Sequence, residues 1–231
     1  MSVAAIVPAA GSGRRMEQQE KKPYLHLLGK PLLAWVLAVL DKTPEVHCII
    51  IPVCPGDEMR CKQEIVDPLG LRTPVVIVAG GAQRQDSVRN GLAAVPDTCD
   101  TVLVHDAARP LVTCALIQTA IAATRTHRAT TLAVPVKDTI ATVDPAWTVL
   151  DEIPDRSRLV SIQTPQTFAK DLLREAHRAA VVDGVTATDD TSLVSRLGIP
   201  VAVVPGAYSN IKITTQEDLA IAAALLEQGL L

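Results

Sequence analysis

The first residues that could do chemistry form the glycine-rich segment Pro8–Met16, with the sequence PAAGSGRRM. Small residues directly after a strand let backbone N–H groups approach an anion closely, and Arg14 and Arg15 add two full positive charges. Downstream, the pair Lys21–Lys22 offers a lysine that can swing over a triphosphate held by this turn. Taken alone, the segment could also be a tight turn with solvated arginines, and lysine pairs usually lie on a solvated surface. The pattern therefore indicates a phosphate site without excluding a structural turn.

The glycine pattern differs from two common nucleotide-binding motifs. A dinucleotide fingerprint needs a third glycine, and Met16 stands at that position. A Walker A loop needs Gly-Lys-Ser or Gly-Lys-Thr, and Gly13 is followed by arginine. The sequence also contains no convincing Ser–His–Asp or Cys–His arrangement for covalent catalysis. A phosphate-binding turn of another kind remains.

The elements that must position this turn can be read from the pattern of apolar runs. Short β-rich runs that are almost continuously apolar are typical of strands buried on both faces. Their alternation with helical patterns predicts an α/β fold with a mainly parallel sheet and helices on both faces. Ligands bind such sheets at the carboxyl ends of strands, where Pro8–Met16 lies. The predicted strands are Val3–Val7, His47–Val53, Val75–Ala79, Thr101–Val104, Thr130–Val136 and Pro200–Val204. The predicted helices are Pro31–Asp41, Asp57–Val66, Asp86–Val95, Thr113–Thr126, Ala169–Val182, Asp189–Leu197 and Gln216–Gln228.

One stretch interrupts this alternation. Residues 137–163 contain no good helical pattern and mix Thr, Val, Asp and Pro. The mixture predicts a β-hairpin arm that leaves the main sheet, with a turn near Asp144–Pro145. A hairpin cannot bury itself alone, so we expect the arm to pack on a partner subunit. The 231 residues fit a single domain, 1–231, that includes this arm at about 137–163.

Composition narrows the partners and the compartment. A net charge of −3 and an aromatic content of 2% argue against nucleic acid, which calls for a basic face or stacking aromatics. Five cysteines without Cys-x-x-Cys spacing favour reduced thiols over disulfides or a zinc site. No basic segment precedes the amino-terminal apolar run, and the longest apolar run, Pro31–Leu40, is too short for a membrane span. We therefore expect a soluble, cytoplasmic protein with no nucleic-acid and no membrane partner.

Together with later segments, these residues resemble the 2-C-methyl-D-erythritol 4-phosphate cytidylyltransferase family of the non-mevalonate isoprenoid pathway. The similarity extends over nearly the entire chain, in nine blocks that occur in order with sensible spacing. The blocks are PAAGSGRRM at 8–16, KKPY at 21–24, GGAQRQDSV at 80–88, VHDAARP at 104–110, PVKDT at 135–139, DR at 155–156, TPQTF at 164–168, TDD at 188–190 and NIKIT at 210–214. The resemblance implies a Rossmann-like nucleotidyltransferase sheet and a homodimer formed through the arm.

The reaction implied by this resemblance is the transfer of CMP from CTP to 2-C-methyl-D-erythritol 4-phosphate, with release of pyrophosphate. The acceptor phosphate oxygen would attack the α-phosphorus in line, without a covalent enzyme intermediate. Mg²⁺ would be the cofactor, bound mainly through the CTP phosphates, and no residue is assigned as its ligand. Chemistry of this kind asks chiefly for positioning and for positive charge around the phosphorus.

The resemblance also implies a role for each candidate site residue. Arg15 and Lys22 would stabilise the five-coordinate phosphorus, Asp106 would meet the acceptor hydroxyls near the metal, and Lys212 would bind opposite the glycine loop. The remaining residues would bind one of the two substrates, and part of the acceptor set would come from the neighbouring subunit's arm. The CTP-binding residues would be Pro8, Ala9, Ala10, Gly11, Gly13, Arg14, Gly81, Arg84 and Ser87, and the acceptor-binding residues would be Arg109, Thr139, Arg156 and Thr164.

Two residues depart from the family pattern. Pro23 stands where the family usually has Gln, and Ala82 stands where an Asp often follows the double glycine. Neither change removes a charged catalytic group, so both bear on nucleotide affinity more than on the type of reaction.

Two main alternative functions stay open at this level, besides a more distant one, a hexose-phosphate nucleotidyltransferase, which could share the glycine loop but would normally need a longer chain. One is a cytidylyltransferase that acts on ribitol 5-phosphate or another pentitol phosphate. The PAAG start, the Ala-Ala pair of HDAARP and the PVKDT segment favour the methylerythritol acceptor over it. The other is a non-catalytic nucleotide-binding protein on the same scaffold, which the presence of all four candidate catalytic residues argues against.

Overall fold

The computed structural model describes residues 2–11 and 20–230. The strands are β1 (Val3–Ile6), β2 (His26–Leu27), β3 (Lys30–Pro31), β4 (Val46–Val53), β5 (Val75–Ala79), β6 (Thr101–Val104), β7 (Ala129–Pro135), β8 (Val160–Ala169) and β9 (Ala202–Pro205). The α-helices are α1 (Leu32–Asp41), α2 (Glu58–Cys61), α3 (Asp67–Leu69), α4 (Arg84–Ala93), α5 (Cys114–His127), α6 (Lys170–Val182), α7 (Asp190–Arg196) and α8 (Gln216–Glu227). A π-helical turn, Lys62–Val66, joins α2 to α3, and 3₁₀ turns occupy Lys22–Tyr24 and Arg156–Arg158.

Within the described ranges, a central sheet of seven strands has the order β5-β4-β1-β6-β8-β7-β9. Strands β5, β4, β1 and β6 pair in parallel, as do β7 and β9. Strand β8 alone runs antiparallel to its neighbours β6 and β7. The prediction of a mainly parallel α/β sheet is therefore confirmed.

Strand β8 corrects the sequence analysis, which assigned residues 160–163 to the arm and 164–168 to no element. Buried polar residues and Pro165 hide this strand, because proline normally lies outside central strands. Its pairing accommodates the proline: Gln163 faces Leu132 and Gln166 faces Thr131, so residues 164–165 stand outside the ladder with β7. The arm consequently ends before 160, and the chain then returns through the middle of the sheet.

Two layers of helices bury the two faces of the sheet. In β1, Val3 and Ala5 point into a cluster with α1 and α5, whereas Ala4 and Ile6 point into a cluster with α4, α6 and α7. All four side chains of β1 are fully buried, as expected for a strand covered on both faces. A third cluster packs α8 against the segment that contains β2.

The arm contains a small hairpin. Val143 pairs antiparallel with Leu150, and the Thr142 amide donates to the Glu152 carbonyl at 2.8 Å. The Asp144 carboxylate accepts backbone N–H bonds from 148 and 149, which closes the turn where it was predicted. Trp147 lies in this turn with 84% of its surface exposed. In residues 2–11 and 20–230, every helix is too short or too polar to traverse a bilayer.

Candidate active site

A cavity of about 480 Å³ lies at the edge of the sheet where β1, β5 and β6 end. Each of these strands runs directly into a loop that lines the cavity, because parallel strands present their carboxyl ends at the same edge. Lys22 enters from the 3₁₀ turn and Lys212 from the segment before α8. The described lining residues are Pro8, Ala9, Ala10, Gly11, Lys22, Pro23, Gly81, Ala82, Gln83, Arg84, Ser87, Asp106, Ala107, Ala108 and Lys212.

A second cavity, of about 250 Å³, adjoins the first. The two share Arg84, Asp106 and Lys212, so these three side chains form the wall between them. Apart from Ile162, the lining of the second cavity consists of hydroxyl, amide and charged side chains. Its other described members are Arg109, Gln163, Thr164, Gln166, Thr188, Asp189 and Ser192. Such a lining matches a small, polar ligand with several hydroxyl groups.

The shared wall is a network of ion pairs centred on Asp106. Arg84 donates from Nε to Oδ1 of Asp106 at 3.0 Å, and the Lys212 ammonium donates to Oδ2 at 2.6 Å. Burial alone would raise the pKa of Asp106, but Arg84 and Lys212 outweigh it and hold that pKa well below the usual range of a carboxyl. Asp106 is therefore an ionised carboxylate whose two oxygens are both occupied by cationic donors.

Lys212 is positioned by backbone contacts of its own segment. The Ile213 amide donates to the Ala108 carbonyl at 2.8 Å, close to Asp106 in sequence. The Asn210 side chain donates to the Thr164 carbonyl at 2.9 Å. The segment 210–213 is thus attached both to the loop after β6 and to β8, which brings its lysine to the cavity.

His105 links the loop after β6 to strand β8 beside the second cavity. Its Nε2 lies 3.1 Å from the Arg109 carbonyl, and its Nδ1 lies 3.1 Å from the Thr164 hydroxyl. A carbonyl only accepts, so Nε2 carries the proton. Burial lowers the pKa of His105 to about 4, so the ring is neutral at pH 7 and Nδ1 accepts from Thr164. The same hydroxyl accepts the Asp106 N–H at 3.1 Å, which ties the wall to β8.

Close packing under the first cavity requires glycine at two positions. A Cβ on Gly80 would lie 2.6 Å from the Cβ of Ala10, and one on Gly81 would lie 2.2 Å from the Cβ of Asp86. Both distances are far inside van der Waals contact. The Ser87 hydroxyl accepts the Gly81 N–H at 3.1 Å and donates to the Gln83 carbonyl at 3.1 Å. Both positions therefore need glycine, and the Ser87 hydroxyl attaches this loop to α4.

The two adjacent lysines have different surroundings. Lys21 pairs with Asp57 at 2.5 Å, and this hydrogen bond raises the pKa of Lys21. Lys22, one residue on, lines the first cavity. Glu20 accepts two hydrogen bonds from Arg60, at 3.1 and 3.0 Å. These outer contacts anchor the chain on the amino-terminal side of Lys22.

Most residues named from the sequence line one of the two cavities. Those in the first are Pro8, Ala9, Ala10, Gly11, Lys22, Gly81, Arg84, Ser87, Asp106 and Lys212. Arg109 and Thr164 line the second. Thr139 and Arg156 are exposed on the arm and line neither cavity, and Arg156 donates to the Lys137 carbonyl at 2.8 Å. Gly13, Arg14 and Arg15 lie outside the described residues.

Sequence reasoning missed the polar residues that complete the second cavity. Asp189 and Gln166 were present in recognised blocks, TDD and TPQTF, but received no role. Gln163 directly precedes the second of these blocks. One signal in the sequence could have found them. The Gln and Thr residues at 163–167 flank Pro165 and are followed by the apolar pair Phe168–Ala169, which is not typical of a solvated loop.

The described side chains of the first cavity indicate how a divalent cation could be bound there. Among the described residues, no group of three or more His, Cys, Asp or Glu side chains could hold a metal ion. Asp106 is the single carboxylate in the described lining of the first cavity, and both of its oxygens already accept from cations. Mg²⁺ commonly keeps several waters and binds through substrate phosphates with one or two carboxylates. The donor set fits a cation carried mainly by a nucleotide.

Comparison with known proteins gives a consistent result along the chain. Residues 3–228 match the family model of 2-C-methyl-D-erythritol 4-phosphate cytidylyltransferase. A relative of that name from Syntrophotalea carbinolica is 46% identical over 229 residues, covering 98% of this chain and 97% of the relative. Another, from Caldanaerobacter subterraneus subsp. tengcongensis, is 42% identical over 228 residues, covering 99% of this chain and 100% of the relative.

Solved structures agree with the sequence matches. The 4-diphosphocytidyl-2C-methyl-D-erythritol synthase of Anaerococcus prevotii superposes with a TM-score of 0.85 at 32% identity, covering 98% of both chains. The 2-C-methyl-D-erythritol 4-phosphate cytidylyltransferase of Thermus thermophilus superposes with a TM-score of 0.82 at 36% identity, covering 98% of this chain and 100% of that one. On the combined evidence of sequence and fold, the chain belongs to the 2-C-methyl-D-erythritol 4-phosphate cytidylyltransferase family.

Proposed function

We propose that this protein transfers CMP from CTP to 2-C-methyl-D-erythritol 4-phosphate, a step of non-mevalonate isoprenoid biosynthesis, and releases pyrophosphate. The observation that carries the proposal is the pair of adjoining cavities with a common wall of Arg84, Asp106 and Lys212. A transferase must hold two substrates side by side so that one can attack the other. The names of the relatives supply the identity of the two substrates.

The first cavity would hold CTP. Its lining of small residues and backbone groups, with Lys22, Arg84 and Lys212 at the edges, suits a triphosphate. Ser87 and Gly81 would contact the cytosine edge, which offers one donor and two acceptors to a narrow pocket. The candidate roles of Gly13, Arg14 and Arg15 rest on the sequence motif alone.

The second cavity would hold the acceptor. A phosphate oxygen of the acceptor would attack the α-phosphorus of CTP. A new P–O bond would form there while the bond between the α-phosphorus and the pyrophosphate oxygen breaks. Lys22 and Arg15 would stabilise the negative charge that accumulates on the phosphorus centre. Asp106 would accept hydrogen bonds from acceptor hydroxyls, with Arg109 and Thr164 beside it. Mg²⁺, bound mainly through the CTP phosphates, would neutralise part of their charge.

The arm would complete the acceptor site of a second subunit in a homodimer. Thr139 and Arg156 lie on the arm, away from the cavities of their own chain. The arm also exposes large apolar side chains, namely Trp147, Val149, Leu150 and Ile153. Exposed apolar clusters of this kind mark protein–protein contacts. Arg156 could meet the acceptor phosphate with two parallel N–H bonds, which a lysine cannot imitate.

We also propose a cytoplasmic location. All of Cys48, Cys54, Cys61, Cys99 and Cys114 are free thiols, three of them buried. Free thiols in this number are typical of a reducing compartment, where disulfides rarely persist. We propose that the protein binds neither nucleic acid nor membranes.

The test is a pyrophosphate-release assay with purified protein, CTP, Mg²⁺ and 2-C-methyl-D-erythritol 4-phosphate. We expect turnover that requires all three, and a product that contains one CMP per acceptor by mass spectrometry. Ribitol 5-phosphate is the matched control acceptor, because the names of the relatives do not favour a pentitol phosphate. A higher kcat/KM with ribitol 5-phosphate, or no turnover with either acceptor, would contradict the proposal.

A further inference from the structure

We propose that His177 is a positioning residue for the transfer reaction: it holds Asp190, which holds Arg84, which in turn holds Asp106 in the wall between the cavities. The inference rests on the proposed function, because it assigns a kinetic consequence to that wall. His177 lies on α6 and lines neither active-site cavity in the described part of the chain. It borders a separate groove between α4 and α6, together with Leu92, Arg174 and Val181.

Four consecutive contacts connect this histidine to the active site. Nε2 of His177 lies 2.9 Å from Oδ1 of Asp190, and Oδ2 of Asp190 accepts from Nη1 of Arg84 at 2.7 Å. Nε of Arg84 then donates to Oδ1 of Asp106, whose Oδ2 accepts from Lys212. Each carboxylate uses one oxygen for each neighbour. The result is an unbranched series of five side chains that alternate between donor and acceptor.

Water cannot easily replace the contacts among His177, Asp190 and Arg84, because these side chains are largely buried. The side chains of His177 and Asp190 are 2% and 1% exposed, and that of Arg84 is 24% exposed. In the interior, removing one partner of a charged hydrogen bond leaves the other desolvated, which costs more than at the surface. Loss of the imidazole N–H is therefore expected to turn the Asp190 carboxylate toward another donor.

Other contacts hold the backbone around Asp190, so His177 acts on the side-chain rotamer of Asp190. Asp190 is the first residue of α7, and its amide donates to the Gln166 side chain at 3.2 Å. The preceding Asp189 caps the helix by accepting the Ser192 amide at 3.0 Å. Neither contact involves the Asp190 carboxylate. Among the described residues, that carboxylate pairs with His177 through one oxygen and with Arg84 through the other.

Arg84 transmits the change because it is shared by both cavities. It holds two carboxylates on different elements, Asp190 on α7 and Asp106 after β6. When Asp190 turns away, the guanidinium loses one of its two anchors and Asp106 loses a donor of fixed direction. Asp106 faces the proposed acceptor, whereas CTP is held largely by backbone groups. The acceptor KM and kcat should therefore change most. The KM for CTP should change less, because Arg84 is one of several groups that line the CTP cavity.

The experiment compares three variants at the histidine and one matched control. His177→Leu removes the donor and keeps an apolar side chain of similar bulk, and His177→Gln keeps an N–H donor near the position of Nε2. Should His177→Leu not fold, His177→Met serves in its place, because methionine adapts to irregular space. Leu173→Val, also buried on α6, is the control for core packing.

We expect His177→Leu to raise the acceptor KM and to lower kcat, so that kcat/KM for the acceptor falls about ten-fold, which is about 1.4 kcal/mol, because a buried hydrogen bond to a charged group is lost. The KM for CTP should change less than the acceptor KM, and His177→Gln should recover most of kcat and of the acceptor KM. In an Asp190→Asn background, His177→Leu should have no additional effect, because the histidine acts through that carboxylate. Multiplying effects in the double variant, or no rescue by glutamine, would overturn the proposal.

A second measurement does not depend on turnover. The Arg84 Nε–H resonance in a ¹H–¹⁵N spectrum, assigned through Arg84→Lys, should shift in His177→Leu and stay in place in Leu173→Val. An unchanged resonance together with normal kinetics would make His177 a packing residue only. If the wild-type protein releases no pyrophosphate, the proposed function fails, but the resonance still decides whether the histidine positions Arg84.

Discussion

The two cavities meet at one wall but are built in different ways. The first is made of strand-end loops with small residues, and it presents backbone groups and a few cations. The second is made of polar side chains on β8 and at the start of α7, and nearly all of its lining can donate or accept hydrogen bonds. Phosphates need charge and close backbone approach, whereas a polyol needs hydroxyl-specific partners. Under the proposed function, one sheet edge serves two recognition modes because an antiparallel strand is inserted beside parallel ones.

The largest expected effect tests the cationic side of the first cavity. Lys22→Ala should lower kcat by about a hundred- to a thousand-fold, the usual cost of removing a group that stabilises developing charge. Lys21→Ala is the matched control, because its ammonium pairs with Asp57. Pyrophosphate release under saturating substrates measures both variants. Equal kcat values for the two variants would contradict a catalytic role that belongs to Lys22 and not to Lys21.

The support of the second cavity should be sensitive to acid. Burial lowers the pKa of His105 from 6.5 to about 4, so between these values the unfolded chain binds a proton that the folded chain does not. The free energy of unfolding should therefore fall as pH drops from 6.5 to 4, by about 3 kcal/mol in total from this group. Denaturant titrations of wild-type protein and His105→Gln measure it.

In the His105→Gln variant this part of the pH dependence should be absent. His47 is exposed, and His47→Gln serves as the control that keeps it. A wild-type pH dependence in the His105 variant would mean that other groups titrate in this range.

Loss of one hydroxyl should separate the two cavities kinetically. Thr164→Val is nearly isosteric, but it takes away the acceptor for the Asp106 amide and the donor to His105. We expect the acceptor KM to rise about ten-fold with the KM for CTP unchanged, since an unpaired buried polar group costs about 1–3 kcal/mol. Thr119→Val, on the exposed side of α5, should leave both constants alone. Steady-state kinetics with each substrate varied in turn distinguish these outcomes.

The smallest expected effect concerns the loop at 80–83, which borders the proposed CTP cavity. Ser87→Ala removes a hydroxyl that accepts from Gly81 and donates to the Gln83 carbonyl, so the loop loses two neutral hydrogen bonds. We expect the KM for CTP to rise about five-fold, because each neutral hydrogen bond contributes about 1 kcal/mol and the backbone relaxes in part. The acceptor KM should not change. A larger effect on the acceptor than on CTP would reverse the assignment of the two cavities.

Much of the fold was predictable because local rules and tertiary packing agree. The strand Val75–Ala79 was predicted with the bounds that the structure has, and the helix predicted from Gln216 does begin there, after a capping box formed by Thr215 and Asp218. Strand β8 was not predicted, because its polar side chains and Pro165 violate the local pattern of a central strand. They are tolerated there since neighbouring elements satisfy them, for example the Gln166 amide that donates to Asp189 at 2.8 Å.

The sequence by itself determined the α/β class and the family and predicted a phosphate-binding edge, because apolar periodicity, glycine turns and ordered motifs are local in the chain. Only the tertiary structure decided that Arg84, Asp106 and Lys212 share one wall, and that Asp190 and His177 stand behind it. Arg84 and Asp190 are 106 residues apart, as are Asp106 and Lys212. Contacts across such separations depend on strand order and crossover, which no local pattern encodes.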